Sequence, residues 1–284
     1  MPIPTVAALP ARAEGVDTAQ CVVCLDHPAP FVARLRINRP DKRNAIDHAV
    51  RQALIDELLP LQADTGVRAL VFGGMGGVFS AGGDLPSMAG LDQARARARI
   101  QHVHRLCALV GGLGIPVVSA VEGIAAGAAV GLALLGDFIV VGPGTKILFP
   151  FLKLGLAPDW GQVFTLPQRV GGATARRLFT AGSAVGGEEA LRIGLADTLV
   201  ADDRVMEAAV QQALALTQLA RSAFGCTKDR LNRPSASLAE ELAREETDAV
   251  AGLLGPEFAE GHAAFMDKRP PQFLPGLYPA ADTP

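Results

Sequence analysis

In the first part of the chain, the spacing of apolar residues switches repeatedly between the two-residue period of strands and the longer period of helices. Residues 21–26 and 31–38 have strand-like patterns, and the HPAP sequence at 27–30 is typical of a hairpin turn. A helix is predicted over residues 47–63 and a strand over 68–72, followed by glycines. A strand, a helix and a second strand in this order predict a crossover unit and a parallel strand pair.

The alternation continues with a helix at 91–110 and strands at 115–120 and 138–141. Between these two strands lies VEGIAAGAAVGLALLGD, residues 121–137, with no charge between Glu122 and Asp137. So many small residues allow backbones and a ligand to come close, and a buried helix start leaves N–H groups free to donate. We predict that the segment turns directly from strand into helix and that its first turn forms part of an active site.

The rest of the chain is predicted to be mainly helical. Helices are expected at 173–181, 187–193, 203–224 and 238–254, with a short strand at 195–200. We expect a disordered lead-in at 1–20, an α/β core at 21–210 and a C-terminal helical section at 211–284 that mediates oligomerisation. The seam between the last two is placed between residues 201 and 225.

Composition narrows the function classes. The chain has 284 residues, of which 49% are hydrophobic and 19% charged, enough for a substantial α/β core. A net charge of -3 and a pI near 6.0 give no electrostatic case for nucleic acid or an anionic membrane. Residues 1–20 do not have the pattern of a secretory signal, and glycines interrupt the most apolar run, so a cytoplasmic protein is expected.

Candidate metal and anion residues are scattered. Cys21 and Cys24 form a C-x-x-C in a strand-like setting, where the two thiols would face opposite ways as free cysteines. His102 and His104 lie two apart on a predicted helix and do not form a metal pair. Four arginines on the same helix are expected to be spread over its solvated surface, at positions 95, 97, 99 and 105. No metal site is predicted.

Seven motifs in order carry a family resemblance. They are NRPDKRNAI at 38–46, SAGGD at 80–84, VEGIAAGAAVGLALLGD at 121–137, LKLGLAPDWG at 152–161, LPQRVGGATARRLFTAG at 166–182, EEALRIGLAD at 188–197 and EGHAAFMDKRPPQF at 260–273. In order and spacing the chain resembles the crotonase superfamily, the enoyl-CoA hydratases and isomerases. The resemblance implies a spiral of βαβ units, an acyl-CoA thioester substrate, no separate cofactor, and a homotrimer or a dimer of trimers.

The resemblance also implies which residues bind the thioester. Two backbone N–H groups, of Gly83 and Ala128, would stabilise the enolate formed when the alpha carbon loses a proton. The CoA part would contact three groups of residues: Lys42, Arg43 and Ala45; Ala81, Asp84 and Leu85; and, often from a neighbouring subunit, Phe265 and Lys268.

Departures from the family pattern affect the proton chemistry. The two glutamates that hydratases use correspond here to Gly131 and Phe151, neither of which can transfer a proton. Within residues 123–136 and 143–165 the only carboxylate is Asp159, which matches the acid/base position of the family's enoyl-CoA isomerases. Burial by neighbouring aromatic residues would raise its pKa and suit it to take and return a proton.

Alternatives remain open at this point. Asp159 also precedes a helix-like run with Gln162 three residues later, a capping-box pattern that would make it a structural cap. A histidine of the helix after the SAGGD loop, His102 or His104, is a further candidate for reaching the site. Gly131 would border a substrate pocket whose expected apolar lining is Phe149, Phe151, Trp160 and Phe164.

The chemistry also has alternatives. A double-bond isomerase is the main prediction. An atypical hydratase, a CoA-thioester hydrolase or dehalogenase that uses Asp159, and an inactive acyl-CoA-binding protein are the others.

Overall fold

Nine strands form two sheets in the part of the chain that the computed structural model describes, residues 21–274; the predicted lead-in at 1–20 lies outside it. The strands are β1 Val23–Ala29, β2 Val32–Ile37, β3 Ala69–Gly74, β4 Val117–Val121, β5 Ile124–Ala126, β6 Phe138–Val141, β7 Lys146–Leu148, β8 Val185–Gly186 and β9 Thr198–Leu199. The main sheet has the order β1-β2-β3-β4-β6-β9, with β1 antiparallel to β2 and the remaining pairs parallel. The second sheet has the order β5-β7-β8.

Helices connect the parallel strands, which confirms the repeated βαβ units. The helices are α1 His48–Ala63, α2 Gln93–Gly111, α3 Ala128–Leu134, α4 Gln162–Ala181, α5 Gly187–Arg192, α6 Val205–Leu216, α7 Arg221–Asn232, α8 Leu238–Leu253 and α9 Pro256–Met266. The side chains of Asp47 and Asp92 accept the third backbone N–H of α1 and α2, so both helices begin one residue after an N-cap aspartate.

The small-residue segment differs from its prediction. It does not turn directly from β4 into a helix, because the three residues of β5 come first and pair in parallel with β7. The helix that follows, α3, has only seven residues, all of them buried. The start of α3 therefore directly follows a strand of the second sheet.

A hydrophobic cluster fills the space between the main sheet and helices α1, α2 and α3, and the other face of the sheet is covered by α6.

The single helix predicted at 203–224 is two helices in the structure, α6 and α7. Arg68 explains the break, because its guanidinium donates to the carbonyls of Thr217 (2.9 Å) and Leu219 (2.6 Å) between α6 and α7. Ala213 of α6 is fully buried against the sheet, so the predicted core limit at residue 210 falls inside a core helix.

Two further helices differ from the prediction. The helix predicted at 173–181 starts earlier, at Gln162, and bends at Gly171, where φ is +76°. Helix α9 is present without having been predicted.

The four cysteines are all free. None of the helices within residues 21–274 has the length and apolar character of a membrane-spanning segment.

One buried ion pair ties the C-terminal helices to the core. Lys228 of α7 is 4% exposed, and its Nζ lies 2.8 Å from Oδ2 of Asp137. Asp137 is the last residue of the small-residue segment, 121–137. The same carboxylate accepts the Val117 N–H at 2.8 Å, and Nζ also donates to the Ile115 carbonyl at 3.1 Å. The pair therefore joins α7 to the start of β4 and the end of the α3 segment.

We expect the two partners of this pair to contribute unequally to stability. Asp137→Ala leaves a buried ammonium without its counter-charge and should lower the free energy of unfolding by about 3–5 kcal/mol. Lys228→Met should lower it less, because Asp137 keeps the Val117 amide. Urea unfolding measures both, with Arg192→Ala, which breaks an exposed pair with Glu189, as a control expected to change it by at most about 1 kcal/mol. An equal or smaller loss for Asp137→Ala would contradict the asymmetry.

Candidate active site

The SAGGD loop is held by the turn that follows β2. The N–H of Ala81 donates to the Arg43 carbonyl at 2.8 Å, and Ile46 exchanges hydrogen bonds with Gly82 (2.7 Å) and Asp84 (3.1 Å). The Asp84 side chain accepts the Ser87 N–H and starts a short 3-10 helix at Leu85. The two stretches that the sequence assigned to CoA binding therefore lie side by side.

The SAGGD loop also pairs with β5. The N–H of Ser80 donates to Ile124, and Ser80 accepts from Ala126, at 3.0 and 3.2 Å. Gly82 follows with a φ of +94°, and a Cβ placed on it would collide with the Ala126 carbonyl and lie 3.5 Å from the Ala128 nitrogen. Only glycine suits this position, and its approach brings Gly83 next to the first residue of α3.

The backbone amides of Gly83 and Ala128 are both available. Neither donates a hydrogen bond to another residue of the described chain. Ala128 is the first residue of α3, where the helix leaves its N–H unpaired, and Gly127 before it has a φ of +53°. The two donors predicted from sequence are therefore unoccupied, and the Gly82 contact holds the loop of Gly83 against the start of α3 at Ala128.

Asp159 lies in the loop before α4, partly buried. Its Oδ1 is fully buried and has no hydrogen-bond partner among the described residues. Burial raises the pKa of this carboxyl above its usual value of 3.8, while its own backbone amide and the nearby charges of Arg99 and His104 act in the opposite direction. The direction of the shift agrees with the expectation from sequence.

The capping interpretation of Asp159 is wrong. Helix α4 has Gly161 as its N-cap, with no side-chain cap, because the left-handed backbone of Trp160 and Gly161 separates Asp159 from the first turn. Gln162 instead bonds backbone groups: its N–H donates to the Asp159 carbonyl at 3.2 Å, and its Nε2 donates to the carbonyls of Asp159 and Gly127, both at 3.1 Å. Gln162 thus connects the Asp159 loop to the residue before the Ala128 amide.

Comparison with known proteins identifies the family. The family model for enoyl-CoA hydratase/isomerase matches residues 30–275. This chain belongs to the enoyl-CoA hydratase/isomerase family.

Relatives in this family have several activities. The chain is 32% identical to the 1,2-epoxyphenylacetyl-CoA isomerase of Escherichia coli K12, over 88% of this chain and 97% of that protein. It is 30% identical to the 2,3-dehydroadipyl-CoA hydratase of the same organism, over 85% and 94%. The crystal structure of an enoyl-CoA hydratase from Polaromonas sp. JS666 matches with a TM-score of 0.82 and 28% identity, over 88% and 98%. The crotonase-like fold is confirmed, and the relatives include both an isomerase and a hydratase.

Aromatic side chains fill the space at positions 131 and 151, which the family resemblance predicts to match the hydratase glutamates. A Cβ placed on Gly131 would collide with the Cβ of Trp160 and lie 3.1 Å from its carbonyl oxygen. Trp160, 3% exposed, therefore occupies the space into which a longer side chain at 131 would extend. Phe151, 6% exposed, lies beside Gly127, with its ring 3.8 Å from a Cβ placed there.

The other expected pocket residues divide between the core and the surface. Phe149 belongs to the main hydrophobic cluster and packs edge-to-face against Phe179 of α4, with ring centroids 5.6 Å apart. Phe164, in the first turn of α4, is 53% exposed. Phe151 and Trp160 are therefore the two aromatic residues that the structure places against the first turn of α3.

Only part of the expected CoA contact set comes together in one chain. Lys42, Arg43 and Leu85 are exposed around the paired loops. Phe265, 80% exposed, lies in the last turn of α9, and Lys268 follows the end of that helix. No hydrogen bond, ion pair or ring contact links either residue to those loops within residues 21–274. This separation agrees with the expectation that they act from a neighbouring subunit, which stays a prediction.

Arg99 lies near the candidate site, although the sequence predicted it on the solvated surface of α2. The guanidinium is half-buried, its Nη2 lies 3.8 Å from a Cβ placed on Gly83, and Asp159 and Asp84 both act on its charge. A signal was present, because Arg99 lies four residues before Val103 and seven before Leu106 on the buried stripe of α2. His104 is near enough to act on Asp159, whereas the His102 ring stacks on His48.

We expect Gly131→Ala to disturb the Asp159 loop. The added methyl overpacks against Trp160 and should lower the free energy of unfolding by about 1–3 kcal/mol. Because Trp160 is the single tryptophan, a red shift of its emission would report its displacement directly. Gly172→Ala is the matched control in α4, where an added Cβ meets nothing within 4 Å and stability should not fall. An unchanged emission and stability for Gly131→Ala would contradict the packing described here.

Proposed function

We propose that the protein is an enoyl-CoA isomerase that shifts a carbon–carbon double bond by proton transfer through Asp159. The observation that carries the proposal is the buried, unpartnered Oδ1 of Asp159 in a loop that Gln162 ties to the residue before the Ala128 amide. A carboxyl that is partly desolvated and not engaged by other side chains suits a group that both accepts and donates a proton.

The proposed reaction needs one carboxyl group and two amides. The Asp159 carboxylate takes a proton from the alpha carbon of a 3-enoyl-CoA, and the electron pair moves onto the thioester oxygen. The N–H groups of Gly83 and Ala128 donate to this oxygen and stabilise the dienolate. The protonated Asp159 then returns the proton to the gamma carbon, which gives the 2-enoyl-CoA with no net gain or loss of atoms.

Gly131 and Phe151 argue against hydration by a glutamate pair. Water addition needs one group to activate water and another to protonate the alpha carbon, and neither residue carries an ionisable group. The bulk of Trp160 beside Gly131 also removes the space in which a water on that side would be positioned. Asp159, the only carboxylate within residues 123–136 and 143–165, supports a proton shift better than the addition of water.

The proposal includes how the substrate is held. Lys42 and Arg43 would bind CoA phosphates at the exposed side of the paired loops, and the backbone of Ala45, Ala81, Asp84 and Leu85 would border the CoA. Phe265 and Lys268 would complete this contact from a neighbouring subunit of a homotrimer or dimer of trimers. Large apolar side chains exposed on α8, on α9 and between them support such an assembly: Leu238, Leu254, Phe258, Phe265 and Met266.

Asp159→Asn should abolish isomerisation while leaving thioester binding nearly intact. The amide is close in size to the carboxylate but cannot accept a proton, so kcat should fall by about 10²- to 10⁴-fold. The measurement is conversion of a 3-enoyl-CoA to the conjugated 2-enoyl-CoA, followed by absorbance, with the Kd for a saturated acyl-CoA measured in parallel.

Asp203→Asn, in the exposed 3-10 helix before α6, is the matched control and should retain full turnover. Near wild-type turnover for Asp159→Asn would overturn the proposal. Product analysis of the same reactions separates the other chemistries, because a hydratase forms a 3-hydroxyacyl-CoA, a hydrolase releases free CoA and an inactive binder forms no product.

The pH dependence of kcat/KM should report the Asp159 carboxyl. The group must be deprotonated to act as base, so activity falls as pH falls through its pKa, and burial places this midpoint above 3.8. Arg99→Met removes a positive charge that lowers the pKa of Asp159, so the midpoint should move to higher pH. Arg97→Met, on the exposed face of α2, should leave it unchanged. A downward shift for Arg99→Met would contradict this assignment.

A further inference from the structure

Arg51 is a buried charge without a partner. It lies in α1 and is 1% exposed, and its Nε and Nη1 are both fully buried without a hydrogen-bond acceptor. No hydrogen bond or ion pair joins its guanidinium to any described residue. A buried guanidinium with no compensation is strongly unfavourable, so its position calls for an anion that this chain does not itself supply.

The acidic side chain whose charge acts on Arg51 is already engaged by other groups. The charge of Asp47 acts on Arg51, but the Asp47 carboxylate pairs with Arg39 at 2.8 Å and caps α1 by accepting the Val50 N–H at 3.0 Å. Burial lowers the pKa of Arg51 to about 10, and the nearby charge of Arg99 lowers it in the same direction. The space around Arg51 therefore has an excess of positive charge.

A second unpaired polar group lies beside Arg51. The ring of His102 in α2 packs at a tilt of 41° against His48 of α1, with ring centroids 4.5 Å apart, and both ring nitrogens of His102 are buried without a partner. The charge of Arg51 lowers the pKa of His102 further than burial alone does. The α1–α2 contact thus contains two side chains, Arg51 and His102, that could each donate a hydrogen bond to an anion.

Arg99 connects this contact to the candidate active site. One end of its guanidinium lies near Gly83, where Nη2 is 3.8 Å from the position of a Cβ, and Nη1 donates to Ser87 Oγ at 3.3 Å. Its charge acts on both Arg51 and Asp159, and no carboxylate lies within ion-pair distance of it among the described residues. Arg99 lies three residues before His102 on α2, and His102 contacts His48, which lies three residues before Arg51 on α1. Arg99 therefore adjoins both the Gly83 loop and the α1–α2 contact that contains Arg51.

We propose that Arg51 and Arg99 form a subsite for a carboxylate at the far end of the acyl chain, so that the preferred substrates are CoA monothioesters of dicarboxylic acids. The inference rests on the proposed function in one respect, that the thioester binds at Gly83 and Ala128. A guanidinium can hold a carboxylate through two parallel hydrogen bonds, and the low dielectric of a buried site strengthens the attraction. An acyl chain ending in a methyl group would leave Arg51 unpaired, which discriminates against it.

The test measures binding of saturated esters, which have no double bond to shift. Calorimetry compares adipyl-CoA with hexanoyl-CoA and glutaryl-CoA with pentanoyl-CoA, pairs that match in chain length and differ in the terminal carboxylate. We expect the wild-type protein to bind the carboxylate-ended ester of at least one pair 10-fold or more tightly. Arg51→Met and Arg99→Met should each reduce this preference while binding of the methyl-ended ester stays nearly unchanged, and Arg97→Met should keep it.

Thermal unfolding without ligand separates recognition from a structural role. Arg51→Met removes an uncompensated buried charge, so its Tm should equal or exceed that of the wild type. A large fall in Tm, or failure to fold, would show that Arg51 also holds the fold, and the subsite then stands or falls with the wild-type preference and its loss in Arg99→Met.

The remaining outcomes are distinct. Equal binding within both ester pairs, or a preference that survives both arginine substitutions, would overturn the subsite and leave the isomerase proposal intact. Adipate or inorganic phosphate binding to Arg51 without competing with hexanoyl-CoA would show a site for a free anion and would also overturn it. If no CoA ester binds at all, the proposed function fails together with the subsite.

Discussion

One backbone contact, between Gly82 and the Ala126 carbonyl, underlies the candidate site. Any Cβ at position 82 would occupy the space of that carbonyl, and hydrogen bonds of Ser80 with β5 hold the two backbones at this distance. The amides of Gly83 and Ala128 lie immediately beyond the contact on each side. Because these donors belong to the backbone, their geometry depends on glycines and on strand pairing, and the side chain at position 128 itself matters little.

The two amides proposed to stabilise the enolate and the carboxyl group proposed to transfer the proton come from different parts of the fold. The amides belong to the SAGGD loop and the start of α3, whereas Asp159 belongs to the loop before α4. Gln162 joins them, because one buried amide group donates to carbonyls of both segments. Trp160 fills the space beside Gly131, so the missing side chain at this position of α3 and the bulky residue on the Asp159 loop belong to one packing arrangement.

Helix α2 has two roles in this arrangement. Its buried stripe of Val103, Leu106 and Val110 packs in the core, and at the N-terminal end of the same stripe Arg99 reaches the SAGGD loop. A charge in such a position influences both Asp159 and Arg51, since electrostatic interactions in a partly buried region are weakly screened. The helix thereby links the proton chemistry to the arginine buried in α1.

Local periodicity and motifs in register were enough to predict the repeated βαβ order, the family, and the candidate residues Gly83, Ala128 and Asp159. Other features depend on the folded chain. Strand β5 forms because it pairs with β7, and Arg68 bonds the carbonyls at the break between α6 and α7. The N-cap of α4 depends on the left-handed backbone of the buried Trp160 and of Gly161. The same holds for Arg51 and Arg99. Their residue types are visible in the sequence, but whether a charge is buried and unpaired depends on which distant groups surround it, and only the folded chain specifies those.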